Sequence, residues 1–466
     1  MVVVFAAALL LAGQGVFDVT HTSALQAAGA SKVYDPGQPG PYAVGFASYL
    51  LIDEARDPGW SGLAGRPIPV YVWYPVDATA VTASTPEAIY PLDGVSGLAP
   101  DTVSSDWEHL GLDRAYQTPT PSAGKPFPLL MFSPGWGGPA WFHISVGTRL
   151  ASHGFVVAVV THYGDAGWIF PWEPFDPGDV ALYNRPRDVS YSLTQLLAWN
   201  DTPGHLLRGT IRPEEVAAGG WSLGGYAAMT LAGGDDDVCD HVELLGVSEP
   251  QPWTCVATPP DPRIKAIVPF DGSNQCLYFS ELARIRVPAM GVGEEWSALE
   301  QNIVPVLGPE WVAWQARQHA AFAGHPAYRV DVANTIHGSF SDMCETDYIL
   351  YGKGLIDEAT FEQWVEWDCT SLPPPVAHDL TSKYAIAFLK THLSGESGYQ
   401  SILTPGWALT KEPFIEFFAT ERRNANSIDD DWPDLFVYFP HQSGSEKAKA
   451  QKDPTTPMPV WHAGRR

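Results

Sequence analysis

A serine flanked by glycines is the first feature of this sequence with a clear chemical meaning. Residues 216–226 read Val-Ala-Ala-Gly-Gly-Trp-Ser-Leu-Gly-Gly-Tyr, which places Ser222 at the centre of a Gly-x-Ser-x-Gly motif. An apolar strand is predicted before the motif and a helix after it, which is the context of a nucleophile elbow. Gly220 and Gly224 leave room at the bend, where a Cβ would collide with the crossing strand and helix. We therefore predict that Ser222 is a catalytic nucleophile rather than part of a plain turn.

A serine hydroxyl reacts only when a base removes its proton and a third group holds that base. His337 follows the last predicted strand in a glycine-containing loop and is the candidate base; the alternative is a surface-loop histidine. Two acids compete for the third role. Asp271 follows the strand after the nucleophile helix, and Glu294 follows the strand after that. We predict Asp271 as the acid, with Glu294 as the alternative.

The negative charge that develops on a substrate oxygen needs two fixed backbone N–H donors. Leu223, directly after the nucleophile, and Trp136, in the glycine-rich loop 133–138, are the predicted pair. Four tryptophans in or near loops at the same end of the sheet are predicted to line an apolar substrate pocket, with core packing as the alternative: Trp141, Trp168, Trp172 and Trp221.

The elements that must position these residues alternate between strand and helix, which predicts an α/β fold with a mostly parallel central sheet flanked by helices. Apolar, β-branched runs predict strands at residues 49–52, 70–74, 128–132, 155–160, 216–221, 264–270, 287–292 and 328–332. The strand at 328–332 is predicted to be the last strand of the chain. Helical spacing of apolar residues predicts helices at residues 187–200 and 383–393, and one that includes residues 142–150. The predicted strand ends therefore bring the candidate residues to one edge of the sheet.

The 466-residue chain is predicted to hold one catalytic domain at residues 31–420, with a polar tail at 421–466. Long stretches rich in proline, glycine or acidic residues predict loop insertions that form a lid, near residues 76–126, 164–186, 233–262 and 340–375.

The balance of charge restricts the partners. Acidic residues outnumber basic ones 53 to 27, for a formal net charge of −26, and such a surface repels nucleic acids and anionic membranes. Residues 2–12 form an apolar run that suits the core of a signal peptide but is too short to span a bilayer. No lysine or arginine precedes residue 32, so an ordinary buried strand is the alternative. We predict a signal peptide at residues 1–30, a secreted or periplasmic protein, and no transmembrane anchor.

The five cysteines contain no Cys-x-x-Cys motif or His/Cys cluster, so no metal and no cofactor is predicted. In an exported protein the two close pairs, Cys239 with Cys255 and Cys344 with Cys369, would each form a disulfide. Pairing of Cys276 with Cys344 is the competing arrangement.

Four short segments carry a resemblance to a known family. They are residues 132–138 (Phe-Ser-Pro-Gly-Trp-Gly-Gly), 150–158 (Leu-Ala-Ser-His-Gly-Phe-Val-Val-Ala), 185–189 (Arg-Pro-Arg-Asp-Val) and 337–342 (His-Gly-Ser-Phe-Ser-Asp). The chain resembles the secreted platelet-activating-factor acetylhydrolases and their bacterial relatives labelled predicted dienelactone hydrolases. In that family the corresponding segments are an oxyanion loop, a strand that enters the sheet, a helix start and the histidine motif.

The resemblance covers about residues 65–395 and implies an α/β-hydrolase fold with a serine nucleophile. It also implies an acid after the strand that follows the elbow, which matches Asp271 rather than Glu294. Pro134 stands where the family usually has histidine, and the insertion between Ser222 and Asp271 is longer than in the acetylhydrolases. The substrate is therefore expected to differ.

We predict a carboxylic ester hydrolase that forms an acyl-enzyme on Ser222. Its substrates would be small-molecule or polymeric esters, with short-chain or aromatic and lipophilic groups, polyesters and lipid esters included. Two other classes stay open: a binding protein that keeps the fold without turnover, and an acidic secreted glycosidase that uses two carboxylates. The sequence does not predict an oligomeric state.

Overall fold

One large sheet organises the part of the chain that the computed structural model describes. The described residues are 33–56, 65–91, 102–124, 126–165, 176–240, 242–272, 276–295, 321–322, 326–369 and 372–420. The strands are β1 (Ala43–Asp53), β2 (Arg66–Val76), β3 (Ile89–Tyr90), β4 (Thr102–Val103), β5 (Tyr116–Gln117), β6 (Phe127–Ser133), β7 (Val156–Val160), β8 (Ile211–Trp221), β9 (Ile264–Phe270), β10 (Ala289–Glu294), β11 (Ala327–Val332) and β12 (Ile415–Thr420). All but β3 and β4 join the large sheet.

The strand order is β12-β11-β10-β9-β8-β6-β7-β2-β1-β5. The central strands from β7 to β11 pair in parallel, whereas β2 and β12 pair antiparallel to β7 and β11 at the two sides. The carboxyl ends of β6, β8, β9 and β10 therefore lie side by side, as the pairs Ser133–Gly220, Trp221–Phe270 and Phe270–Val292 show. This edge of the sheet carries the candidate residues.

Parallel strands must be covered on both faces, because their side chains are buried on both. The helices of the described residues are α1 (Ser104–Glu108), α2 (Ile144–Ser152), α3 (Gly178–Asp201), α4 (Leu223–Gly233), α5 (Phe279–Leu282), α6 (Met343–Gly352), α7 (Glu358–Asp368), α8 (Pro374–His392) and α9 (Pro405–Lys411). Helices α2 and α8 bury side chains in one apolar cluster, and α3 and α4 in the cluster on the opposite face. The predicted α/β class is confirmed.

Two predictions about the elements were wrong. Helix α3 begins at Gly178 rather than at residue 187, and Pro186 lies inside it. A proline lacks an N–H group and so removes only one helical hydrogen bond, and Pro186 is buried within the helix. Residues 328–332 are not the last strand, because β12 adds an antiparallel strand beside β11.

Both favoured disulfides are present. Cys239 bonds to Cys255 and Cys344 bonds to Cys369, while Cys276 is buried and takes part in neither. The competing Cys276–Cys344 pairing is therefore wrong. Within the described ranges, no helix has the length and apolar character needed to cross a bilayer. The predicted signal peptide and the tail at 421–466 lie outside the described residues.

Candidate active site

Ser222 lies at a sharp bend between β8 and α4. Its φ of 54° and ψ of −123° are a conformation that a residue with a side chain rarely adopts. The surrounding glycines are required by space: a Cβ on Gly220 would lie 2.2 Å from the carbonyl oxygen of Gly224, and one on Gly224 would lie 1.9 Å from that of Ser133. The sequence thus folds into a strained elbow that leaves the serine side chain partly exposed.

The two other members of the predicted triad, His337 and Asp271, are hydrogen-bonded to each other. Nδ1 of His337 bonds to Oδ2 of Asp271. The Asp271 side chain is only 3% exposed, whereas the imidazole is 40% exposed. The buried carboxylate can therefore hold the ring while its other nitrogen stays accessible. Like Ser222, Asp271 has a positive φ, 39°, directly after its strand.

Two contacts place this pair beside the elbow. The backbone N–H of Ser222 donates to the carbonyl of Phe270, the residue before Asp271, at 3.0 Å. The indole N–H of Trp221 donates to the backbone carbonyl of His337 at 2.9 Å, and the two rings lie 4.9 Å apart. Ser222, Asp271 and His337 therefore meet at one edge of the sheet.

Glu294, the alternative acid, lies behind Asp271 rather than in its place. Its carboxyl hydrogen-bonds to Asp271 and is 1% exposed. Burial, and then the negative charge of Asp271, raise the pKa of Glu294 to about 9. Because His337 is hydrogen-bonded to Asp271, Asp271 is the acid that we propose for the triad, and burial favours the neutral form of Glu294 beside it.

The loop after β6 is held in place by a buried arginine. Arg185, from the middle of α3, donates to the carbonyl oxygens of Pro134 and, at 2.7 Å, Gly135, and its Nε bonds to Asp165 at 2.5 Å. Asp165 in turn accepts the N–H of Gly137 at 3.1 Å. Arg185 and Asp165 have side chains that are 0% and 1% exposed. The loop is thus tied to the core on one side.

This anchoring fixes the direction of the predicted oxyanion donor. In a trans peptide the C=O and N–H groups point to opposite sides. Because Arg185 binds the carbonyl of Gly135, the N–H of Trp136 in the same peptide points away from the arginine. Gly135 also lies against the elbow, since a Cβ there would be 2.5 Å from the Trp221 ring and 3.3 Å from Cβ of Ser222. Leu223 supplies the second candidate N–H at the start of α4, where amides have no intrahelical partner.

A second Ser-His-Asp arrangement supports the same loop. Oγ of Ser133 lies 2.8 Å from Nε2 of His162, whose Nδ1 lies 2.9 Å from Asp188, and Arg66 donates to the Asp188 carboxylate at 2.9 and 3.0 Å. Arg66 and the neighbouring cations hold the pKa of Asp188 far below its usual range, while burial lowers the pKa of His162. All are buried, so this arrangement holds the end of β6 and is closed to substrate.

The loop that carries His337 is anchored through Asp342, the last residue of the histidine motif. Its carboxylate accepts the N–H of Ser145 at the start of α2, and it faces His378 from α8. Nε2 of His378 bonds to Glu345 at 2.8 Å, and the two carboxylates raise the pKa of His378 to about 9. The cluster is therefore a buried ion pair that fixes the loop.

Two groups among the described residues each bring one imidazole and two carboxyl groups within 4.8 Å of one another: Asp271 with Glu294 and His337, and Asp342 with Glu345 and His378. In both, the imidazole is already hydrogen-bonded to a carboxylate, an arrangement that holds protons. The expectation that the protein needs no metal and no cofactor stays a prediction.

The predicted pocket tryptophans differ in placement. Trp141 and Trp221 are 2% and 5% exposed and pack in the core, so only their edges can reach a substrate. Trp168 and Trp172 lie outside the described residues. Trp136, whose backbone N–H is a predicted oxyanion donor, has a partly exposed side chain on the loop.

Comparison with known proteins agrees with this geometry. Residues 109–169, which include the loop at 133–138, match the family model "Platelet-activating factor acetylhydrolase, isoform II". The fold is similar to that of a ferulic acid esterase from Streptomyces cinnamoneus, with a TM-score of 0.53 and 22% identity over 82% of this chain and 97% of the other. The chain has the α/β-hydrolase fold. No curated protein sequence matches it. The predicted resemblance is confirmed, and the family match over residues 109–169 agrees with the predicted enzyme class, a carboxylic ester hydrolase.

Sequence reasoning missed the groups that support the site. The sequence indicates Arg185 and Asp188 only as parts of a family motif at a helix start, although they hold the loop after β6 and the end of β6 itself. Ser133 was read as loop and His162 was not noted. Their only sequence signal was that motif, since a buried arginine and an exposed one look alike in a sequence.

Proposed function

We propose that the protein is a serine carboxylic ester hydrolase in which Ser222 is the nucleophile, His337 the general base and Asp271 the acid that orients it. The observation that carries this proposal is the strained elbow at Ser222, with the His337–Asp271 hydrogen bond beside it. Such a bend is retained at a cost in stability when it exposes a nucleophile.

Each group has one task in the proposed reaction. Nε2 of His337 takes the Ser222 proton as Oγ attacks the ester carbonyl carbon, and Asp271 stabilises the imidazolium that forms. The N–H groups of Leu223 and Trp136 bind the oxyanion. His337 then protonates the departing alcohol, which leaves an acyl group on Ser222. Water, activated by the same imidazole, releases the acid and restores the enzyme.

We propose esters of short-chain or aromatic acids as the substrates. Two findings support this class: the matched family is named for an acetylhydrolase, and the fold is similar to that of a ferulic acid esterase. Trp136 offers a partly exposed indole on the oxyanion loop, next to the elbow. A flat acyl group could stack on it.

The glycosidase alternative is disfavoured by the carboxyl pair. A retaining glycosidase needs its two carboxyls about 5–5.5 Å apart, and an inverting one needs them farther apart, so that the sugar lies between them. The Asp271 and Glu294 carboxyls are hydrogen-bonded to each other, so a sugar does not fit between them.

The decisive experiment compares Ser222→Ala with the wild type on p-nitrophenyl acetate, butyrate and octanoate and on methyl ferulate. We expect hydrolysis by the wild type, loss of it in Ser222→Ala, and unchanged rates in the control Ser84→Ala, which alters an exposed serine. A fluorophosphonate should label Ser222 and leave Ser133 unmodified. A wild type that turns over no ester and takes no label is a binding protein. In Trp136→Ala, which keeps the backbone N–H, we expect a greater loss on ferulate than on acetate.

We also propose that the protein works outside the cytoplasm. Two disulfides support this location, because such bonds persist in oxidising compartments. The measurement is the N-terminal sequence of the protein recovered from the periplasm or medium of the expressing cells. We expect it to begin near residue 31, and an intact protein retained in the cytoplasm would contradict the proposal.

A further inference from the structure

The two acids that compete in the sequence are neighbours in the fold. Asp271 follows β9 and Glu294 ends β10, and these strands pair in parallel. The N–H of Asp271 donates to the carbonyl of Val292 at 2.6 Å, which brings the end of one strand against the other. Asp271 and Glu294 also line the same small cavity, of about 30 Å³.

The backbone between them is adapted to this contact. Gly293 separates Val292 from Glu294, and a Cβ on it would lie 2.8 Å from Oδ1 of Asp271. The absence of a side chain at this position lets the Asp271 carboxyl lie against β10. There it meets Glu294 on one side and His337 on the other.

Two carboxyl groups can hydrogen-bond to each other only if one of them carries a proton. His337 donates to Asp271, and the positive charge that it acquires during catalysis favours an ionised Asp271. Glu294 is 1% exposed, and burial disfavours its charged form. The proton of the pair therefore resides on Glu294, in agreement with its raised pKa of about 9.

We propose that Glu294 is a positioning residue that, as a neutral carboxylic acid, donates a hydrogen bond to the Asp271 carboxylate and thereby fixes the orientation of His337. This inference rests on the proposed ester hydrolase function. Asp271 has a strained backbone, at a φ of 39°, and its carboxylate is held by contacts rather than by a regular turn. The Glu294 hydroxyl supplies one such contact without adding a second negative charge.

The other charged groups near the pair are few within the described ranges. Glu295 follows Glu294 and raises its pKa slightly through its charge. Asp331, on β11, faces Asp271 across the cavity, and burial raises the pKa of Asp331 to about 6 although Arg329 forms an ion pair with it. A pH profile of the site therefore contains Asp331 on the acidic side and Glu294 on the alkaline side.

The experiment compares Glu294→Gln, whose amide can still donate to Asp271, with Glu294→Ala, which cannot. The matched control is Glu281→Gln, another buried glutamate, which accepts backbone N–H groups of Asp236 and Tyr278. We expect Glu294→Ala to lower kcat by about 10²-fold with little change in KM, because misplacement of a catalytic group has about this effect. Glu294→Gln and Glu281→Gln should lose less than about tenfold by the same measure. The alkaline limb of the wild-type kcat/KM profile near pH 9 should disappear in Glu294→Gln.

A second readout does not depend on turnover. Burial raises the pKa of Asp235 and of Asp342 to about 7, so both are largely ionised above pH 8. The infrared difference spectrum of the wild type between pH 8 and pH 10 should therefore contain the C=O band of a protonated carboxyl that is lost near pH 9. That band should be absent from both Glu294 variants and present in Glu281→Gln. Its persistence in Glu294→Gln, or full activity of Glu294→Ala, would overturn the inference.

The two proposals fail in different ways. A wild type that hydrolyses no ester refutes the proposed function, and the infrared band then still reports whether Glu294 holds the proton. An active wild type that loses activity in Ser222→Ala but not in Glu294→Ala refutes only the role of Glu294.

Discussion

Replacement of Arg185 by methionine tests how the oxyanion loop is held. The guanidinium donates to the carbonyls of Pro134 and Gly135, and its loss leaves both without this donor. Asp165 then keeps its buried charge without the arginine. Breaking a buried ion pair by removing one partner destabilises a protein by about 3–5 kcal/mol. We expect a loss of this size in the free energy of unfolding.

The effect on catalysis has a separate cause. Without Arg185 the peptide that joins Gly135 to Trp136 can rotate, and the Trp136 N–H no longer points to the oxyanion. Loss of one such donor lowers kcat by about 10²–10³-fold. KM should change little, because the ground-state ester depends less on this donor than the transition state does.

The assay is urea unfolding together with kcat and KM on p-nitrophenyl acetate. Arg187→Met is the control, since Arg187 lies on the same helix but donates to the carbonyls of Tyr183 and Ala257. In the double variant Arg185→Met/Asp165→Asn the unpaired charge is gone, so stability should recover while kcat stays low. A folded Arg185→Met with a kcat close to that of the wild type would refute the reasoning.

Three further predictions concern Gly224, Asp271 and Glu294. Gly224→Ala should abolish activity and destabilise the protein by about 1–3 kcal/mol or more, because its Cβ would lie 1.9 Å from the Ser133 carbonyl oxygen. The control is Gly406→Ala, whose Cβ would lie in open space and should leave urea unfolding unchanged. Equal effects of the two substitutions would contradict this prediction. Asp271→Asn should lower kcat by about 10⁴-fold, as in other triads that lose this carboxylate, and a larger loss in Glu294→Gln would mean that the acids have the opposite roles. Glu294 retains in the folded state, up to a pKa of about 9, a proton that the unfolded chain releases above its ordinary pKa of 4.5. Its contribution to stability therefore falls as pH rises between these values, by up to about 1.4 kcal/mol per pH unit. The free energy of unfolding of Glu294→Gln in urea should therefore increase relative to that of the wild type from pH 5 to 8, and parallel curves would contradict this.

The central strands could be predicted from the sequence because their composition is decisive. The run at 264–270 is bounded by proline and arginine before it and by Asp-Gly after it, and it forms β9 with the predicted bounds. The edge of the sheet was harder to predict. Strand β12 follows β11 in space but lies more than 80 residues later in the chain, after four helices, so nothing local to Ile415–Thr420 indicates its partner.

The candidate site shows the same division. Ser222, Asp271 and His337 each follow a strand or lie in a recognisable motif, so their meeting at one sheet edge could be predicted from topology. The state of Glu294 could not, because its proton depends on burial and on an oxygen of Asp271 that is distant in the sequence. The role of Arg185 likewise depends on a helix that begins nine residues earlier than the pattern indicated.

The two Ser-His-Asp arrangements show which features separate a nucleophile from a structural serine. Ser133, His162 and Asp188 have the hydrogen bonds of a triad, at 2.8 and 2.9 Å. Ser133 nevertheless lies within a strand, paired with Gly220 and 0% exposed, and a substrate carbonyl has no approach to it. The positive φ at Ser222 turns that side chain out of the sheet, where it is partly exposed, and the imidazole of His337 is 40% exposed. The chemistry therefore depends on the backbone bend and the access that it creates, since the residue types alone occur twice at the same edge of the sheet.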